Sequence, residues 1–378
     1  MNIDDYISGN LKEGYKYEYF LPEPINHNFS WDDKAINELL EKASLKLGEL
    51  NSFSRFIPNT DMFILMHIFK EAVISSRIEG TQTNMKEALI DQKDLSPEKR
   101  DDQKEVLNYV EAMNFAINYL SKLPLSNRLF KETHKKLLEG VRGANKMPGE
   151  FRTSQNWIGG ASLNDAVFIP PNHKEAEMLM NDLELFLNND KLIIPHLIRI
   201  AIAHYQFETI HPFLDGNGRM GRLLITLYLV SNNVLNEPLL YLSEYFERNK
   251  TLYFDNLTFV RTKNDMKQWL KFFLNGVIET ADKSISTLEE IRKLKEKIEN
   301  DFIIPIGRSA ESALKLINGL YKLPIVKIKD VENITGLSNK ASTNLVKKFI
   351  DAKILVEQTG NKRNRNFAFQ EYIELFTT

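Results

Sequence analysis

The apolar residues of this chain recur mostly at helical spacing. Over residues 31–50 they fall on one face, with Ser30 placed to cap the helix. The same period predicts helices over 61–77, 101–120, 126–138, 175–187 and 195–207, and another from Gly218 to about Asn232. Further helices are expected over 248–261 and 266–280, then a separate, long, charged one from Ala281 to about Asn300. Two stretches break the period. Residues 15–24 carry aromatics and two prolines and read as an extended arm. Residues 149–171 hold a Gly-Gly pair and end in Pro-Pro, which predicts a short β-hairpin or flap.

The character changes at 303–307. Beyond it the pattern predicts a helix (309–320), a short helix (329–335), the turn Gly336-Leu-Ser, a third helix (339–352) and β runs at 355–358 and 366–369. That order is the winged helix-turn-helix pattern. The expected fold is therefore mostly α, divided into an N-terminal helical region (1–125), a catalytic core (126–280), a linking helix (281–302) and a winged helix (303–378).

Composition narrows the chemistry. Without cysteine, disulfides, zinc–thiolate sites and cysteine nucleophiles are ruled out. A net charge of −2 gives no global pull toward DNA or anionic lipid. The N-terminus has no basic segment followed by an apolar one, and the most apolar stretch, 223–230, is too short to span a bilayer. A soluble cytoplasmic protein without membrane contact is expected.

The dense signal is His211-Pro-Phe-Leu-Asp-Gly-Asn-Gly-Arg-Met-Gly-Arg222. Gly216 and Gly218 flank Asn217 and let the backbone turn so that successive amides converge into an anion nest. The helix that starts there adds its own N-terminal donors. Arg219 and Arg222 are three apart, on one helix face, and two guanidiniums beside a nest suit a polyphosphate. Asp215 at the lip supplies the single carboxylate with which Mg²⁺ is usually held against phosphate oxygens. His211 can accept a proton at neutral pH. Together these predict a phosphoryl or nucleotidyl transfer site.

This stretch resembles the signature of the Fic family, His-Pro-Phe-x-Asp/Glu-Gly-Asn-Gly-Arg-x-x-Arg, at every specified position. The resemblance implies a Fic helical core with a β-hairpin flap, and transfer of AMP from ATP to a Ser, Thr or Tyr hydroxyl of a target protein. His211, Asn217 and Arg219 would be catalytic, with His211 the general base and Asp215 the Mg²⁺ ligand. Asn217 and the loop amides would position the α-phosphate, and Arg219 and Arg222 the distal ones. Gly216, Gly218 and Gly221 would complete the nucleotide site. Residues 152–159 and 168–171 resemble the family's flap, which places Trp157, Ile158 and Gly159 near the nucleotide, with the target segment added as a strand. Tyr253 falls where relatives place an aromatic against the adenine; a core tyrosine is equally consistent with the sequence.

Upstream, Ser75-Ser-Arg-Ile-Glu79-Gly80 resembles the family's inhibitory helix motif. Ser75 and Glu79 are four apart and share a helix face, and Gly80 suits a helix end. The resemblance implies that Glu79 pairs with Arg222 and keeps ATP in an unproductive pose. In the C-terminal part, Ser338 would cap a helix bearing Asn339, Lys340, Ser342, Thr343, Asn344, Lys347 and Lys348, with Leu345, Val346, Phe349 and Ile350 packed inside. Lys362, Arg363 and Arg365 would lie on the wing, a surface that suits DNA or a protein partner equally. Two other readings stay open: a nucleotide-sensing DNA-binding regulator, and a de-adenylylating hydrolase in which Glu79 orients water. The sequence also leaves open a homodimer.

Overall fold

The computed structural model describes residues 1–56, 61–360 and 365–377. The chain opens with an antiparallel hairpin, β1 (Gly9–Glu13) and β2 (Glu18–Pro22). The expected extended arm is thus half of a hairpin. Phe20 N–H donates to the Ile169 carbonyl at 2.9 Å and ties it to the flap. Five helices follow: α1 (Lys34–Phe56), α2 (Asp61–Ile78), α3 (Met85–Leu89), α4 (Pro97–Leu120) and α5 (Asn127–Leu137). After the flap come α6 (His173–Asn188), α7 (His196–Ile210), α8 (Asn217–Ser231), α9 (Ser243–Arg248), α10 (Lys250–Lys263) and α11 (Met266–Ile298).

Helices α7 and α8 form the centre. Every residue of α7 from Leu197 to Ile210 is buried, and so is every residue of α8 from Arg219 to Leu229. A helix buried all round belongs inside the core. Helices α6 and α11 cover α7, and α2 and α4 cover α8. The polar groups on these two helices, His204, Glu208, Arg219 and Arg222, therefore need partners or a use.

Several local expectations are corrected. Ser30 does not cap α1; its N–H and carbonyl are bonded to Met1 and Ile3. Asp33 caps instead, accepting from Ile36 N–H at 3.1 Å. Residues 266–298 form one helix rather than two. The charge rises past Ala281, but Trp269, Phe273, Val277, Ala281, Ser284, Leu288 and Ile291 keep one buried face throughout. In the flap, the β pairing among the described residues is a single antiparallel bridge, Ile158–Phe168, backed by Gln155 Nε2 donating to Pro170 O at 2.8 Å. Short α3 and α9 were not visible in the periodicity.

The C-terminal part comprises α12 (Ala310–Lys322), β3 (Ile325–Val326), α13 (Ile328–Thr335), α14 (Asn339–Asp351), β4 (Val356–Glu357), β5 (Phe367–Ala368) and α15 (Gln370–Glu374). Gly336, at φ 74°, closes α13, and Ser338 caps α14. The sheet order is β3-β5-β4. This keeps the expected helix order and adds β3, too short to show alternation in sequence. Leu345, Val346 and Phe349 are buried and Ile350 half-buried. Ser342 is buried as well, so it is not part of the polar face expected of α14. Arg365 lies over the Phe367 ring at 5.2 Å, while Lys362 and Arg363 fall outside the described residues. The module packs against α2, where Phe376 meets His67 edge-on at 5.0 Å, and against the segment between α3 and α4, where Lys327 pairs with Asp94 at 3.0 Å. Among the described residues no helix is long and apolar enough to cross a membrane.

Candidate active site

The loop between α7 and α8 is set by two left-handed residues. His211 ends α7 at φ 50°, ψ 59°, and Gly216 precedes α8 at φ 75°. A non-glycine residue there is uncommon and marks a backbone held by its surroundings. Those restraints are identifiable. Asn217 brackets the turn, its Oδ1 accepting from Phe213 N–H and its Nδ2 donating to Phe213 O, both at 2.8 Å. Asn156 Nδ2 donates to Phe213 O at 2.9 Å. Buried Arg152 donates to the carbonyls of His211, Ser154, Ile210 and Pro171, with no carboxylate partner among the described residues.

His134 supplies another restraint. Gly149 N–H donates to its Nδ1 at 2.9 Å, so the ring proton must sit on Nε2 and be donated to the Asp215 carbonyl, also at 2.9 Å. Its ring stacks on Phe213 at 3.8 Å. This one side chain joins α5, the base of the flap and the loop. It has no local sequence signature.

A cavity of about 490 Å³ opens over the loop. Glu79, Trp157, Ile158, Gly159, His211, Asp215, Gly216, Asn217, Gly218, Arg222 and Tyr253 all line it, so the structure brings most of the expected residues together. His211 Nδ1 lies 3.4 Å from the Glu208 carbonyl, which assigns the proton to Nδ1 and leaves Nε2 free to accept. Burial, with the nearby Arg152 and Arg261 charges, lowers the imidazole to about 4, so the ring is neutral at physiological pH.

Arg222 is turned entirely toward α2. Its Nε donates to Ser75 Oγ at 2.8 Å, and its Nη2 donates to Ser75 O at 2.9 Å and to Glu79 Oε1 at 2.7 Å. Burial alone would raise the Glu79 carboxyl, but the charge and hydrogen bond of Arg222, with the Arg219 charge, outweigh it and hold it below the usual range. The contact also explains Gly218. A Cβ there would lie 2.2 Å from Glu79 Oε1, so only glycine admits the carboxylate. Gly80 leaves the end of α2 at φ 106°.

Other expected site residues have different places. Arg219 points away from the cavity, with Nη1 on Glu105 at 3.1 Å and Nη2 3.5 Å from Asp215 Oδ1. Gly221 also lies outside it. A Cβ there would meet Glu208 Oε1 at 2.1 Å, so this glycine serves the close approach of α7 and α8. The Asn217 amide is spent on Phe213. Tyr253 is buried at 1% exposure, and its hydroxyl donates to His204 Nε2 at 2.9 Å because His204 Nδ1–H is used on the Gly221 carbonyl. It is a core tyrosine with an edge on the cavity. Leu257 and Arg261 line the same wall. With Tyr253 they are spaced i, i+4, i+8 on α10, a period that could have found them.

The Fic/DOC family N-terminal profile matches residues 37–118, and the Fic/DOC family profile matches 124–229, the stretch holding the loop and flap. The chain belongs to the Fic/DOC family. A protein adenylyltransferase Fic from Aedes aegypti is 30% identical over 187 residues, covering 48% of this chain and 34% of the relative. One from Culex quinquefasciatus matches to the same extent. The chain thus spans about a third of the length of these curated relatives. Among solved structures, a Fic family protein from Desulfovibrio desulfuricans G20 superimposes with a TM-score of 0.58 at 18% identity, covering 91% of this chain and 98% of that one. A Fic domain containing signaling protein from Bacteroides thetaiotaomicron gives 0.54 at 19% identity, covering 68% and 97%. These two show the Fic fold.

Proposed function

We propose that this Fic-family chain transfers AMP from ATP to Ser, Thr or Tyr hydroxyls of proteins, itself included, and that Glu79 restrains it. The observation that carries the reading is the cavity's composition: a neutral imidazole with a free Nε2 faces the same space as the Gly216–Gly218 amides and Arg222. Nε2 of His211 takes the proton of the target hydroxyl. The hydroxyl oxygen bonds to the α-phosphorus as the bond to the bridging oxygen breaks, and pyrophosphate leaves. The loop amides hold the phosphate oxygens.

Among the described residues no three His, Cys, Asp or Glu side chains cluster to hold a metal. The single half-exposed carboxylate of Asp215 on the cavity wall fits Mg²⁺ bound mainly through ligand oxygens. When bound, the ion would neutralise phosphate charge.

ATP labelled at the α-phosphorus is expected to label protein, and ATP labelled at the γ-phosphorus is not. Label from the γ position alone would mean a kinase. Acid should inhibit late. The base is the neutral ring, and its population falls as pH drops through its pKa, which lies well below 6.5. Bound phosphates raise that value but leave it under 6.5, so initial rates in the Glu79→Gly protein should hold from pH 8 to about 6.5 and fall below that. A half-maximal rate at or above pH 6.5 would contradict the burial of His211. A second reading, removal of AMP with Glu79 orienting water, draws support from the Glu79 carboxyl lying on the cavity wall. Release of AMP from an adenylylated protein by the wild type but not by Glu79→Gly would favour it.

A further inference from the structure

Glu208 lines the cavity, yet the transfer chemistry above gives it nothing to do. It sits on the last turn of α7, 7% exposed, and its Oε1 is buried with no hydrogen-bond partner among the described residues. A buried carboxyl without a partner is costly and calls for an explanation.

The surrounding elements are already committed. On α8 the Oε1 edge of the carboxyl rests on Gly221, where a Cβ would come within 2.1 Å, and Arg222 donates from Nε and Nη2 to Ser75 and Glu79. On α10 the Tyr253 hydroxyl donates to His204, and Arg261 Nε donates to Thr209 Oγ1. The cavity that the carboxyl lines can supply a donor, from water or from a ligand. Phosphate oxygens are anionic acceptors and would be repelled. In a nucleoside triphosphate the donors are the ribose hydroxyls and the exocyclic amine of the base.

We propose that Glu208 is a nucleotide-specificity residue, accepting a hydrogen bond from an O–H or N–H donor of the nucleoside half of ATP. This rests on the transferase reading above. Burial also pushes the carboxyl up to about 7, so a donor from the ligand would favour its carboxylate form.

The test is equilibrium binding to the Glu79→Gly/His211→Asn protein, which lacks the base but keeps a residue suited to the left-handed loop, so turnover does not interfere. The probes are ATP, 2′-deoxy-ATP, 3′-deoxy-ATP and purine riboside triphosphate, which lacks the amine. One analogue should bind more weakly than ATP by on the order of tenfold, the worth of one hydrogen bond to a charged group. Adding Glu208→Leu or Glu208→Met, two replacements of similar size without an acceptor, should weaken ATP equally and abolish discrimination against that analogue. Glu208→Gln should retain most of it. Equal binding of all four probes by the parent, or unchanged discrimination in both acceptor-less variants, would overturn the inference and leave the transferase reading standing. No nucleotide binding to the parent would remove both.

Discussion

Replacing Glu79 with Gly is expected to raise AMP incorporation by about ten- to a hundredfold. Arg222 makes three hydrogen bonds to α2, and the only one to a charged acceptor goes to Glu79, at 2.7 Å. A charge-assisted hydrogen bond is worth about 1.5–3 kcal/mol, toward the lower end here because the Glu79 side chain is 36% exposed and screened by solvent, and each 1.4 kcal/mol is a factor of ten. With the carboxylate gone, Arg222 can exchange its neutral Ser75 contacts for a phosphate. The same loss opens space over Gly218, where the Glu79 carboxyl now sits. Ser75→Ala should give a smaller gain, because the Ser75 carbonyl and Glu79 both remain. Initial rates under saturating ATP measure both effects. An unchanged rate in Glu79→Gly would remove the restraint from the account without touching the transfer chemistry.

His211→Ala in the Glu79→Gly background should lower the rate by about 10²–10⁴-fold, the usual worth of a positioned general base. Alanine is poorly suited to φ 50°, so a loss in that variant alone could reflect a displaced loop. His211→Asn controls for this. Asparagine tolerates the left-handed conformation and lacks a comparable base, so its loss should match that of alanine while thermal stability stays near the parent's. Near-parental activity in His211→Asn would show that the residue shapes the loop and does not take the proton.

The centre of the site was legible because it is contiguous. One short loop between two buried helices carries the base, the glycines and the carboxylate, and chain order alone placed them together. Glu79 was legible for a similar reason: Ser75 and Glu79 share a face, and both reach Arg222. The directions of the arginines were not legible. Spacing of three puts Arg219 and Arg222 on neighbouring positions, but Glu105, 114 residues earlier in the chain, draws Arg219 out of the cavity. Asn217 could not be assigned to the loop rather than the ligand without knowing where Phe213 falls. His134 and Arg152 act through long-range contacts that no periodicity reports. The split of α11 was misread because a change in surface charge was taken for a helix end, although no glycine or proline interrupts residues 278–284. The order of helices after residue 309 was legible from turn and cap residues, whereas β3 became visible only through its pairing with β5.

AMP transfer with a neutral His211 as the base is expected once Glu79 no longer holds Arg222. Its most direct test is the intact mass of purified wild-type, Glu79→Gly and Glu79→Gly/His211→Ala proteins after incubation with ATP and Mg²⁺. The account predicts a gain of one or more AMP groups in Glu79→Gly, little in wild type and none in the double variant. An equal gain in the double variant, or none in Glu79→Gly, would contradict it.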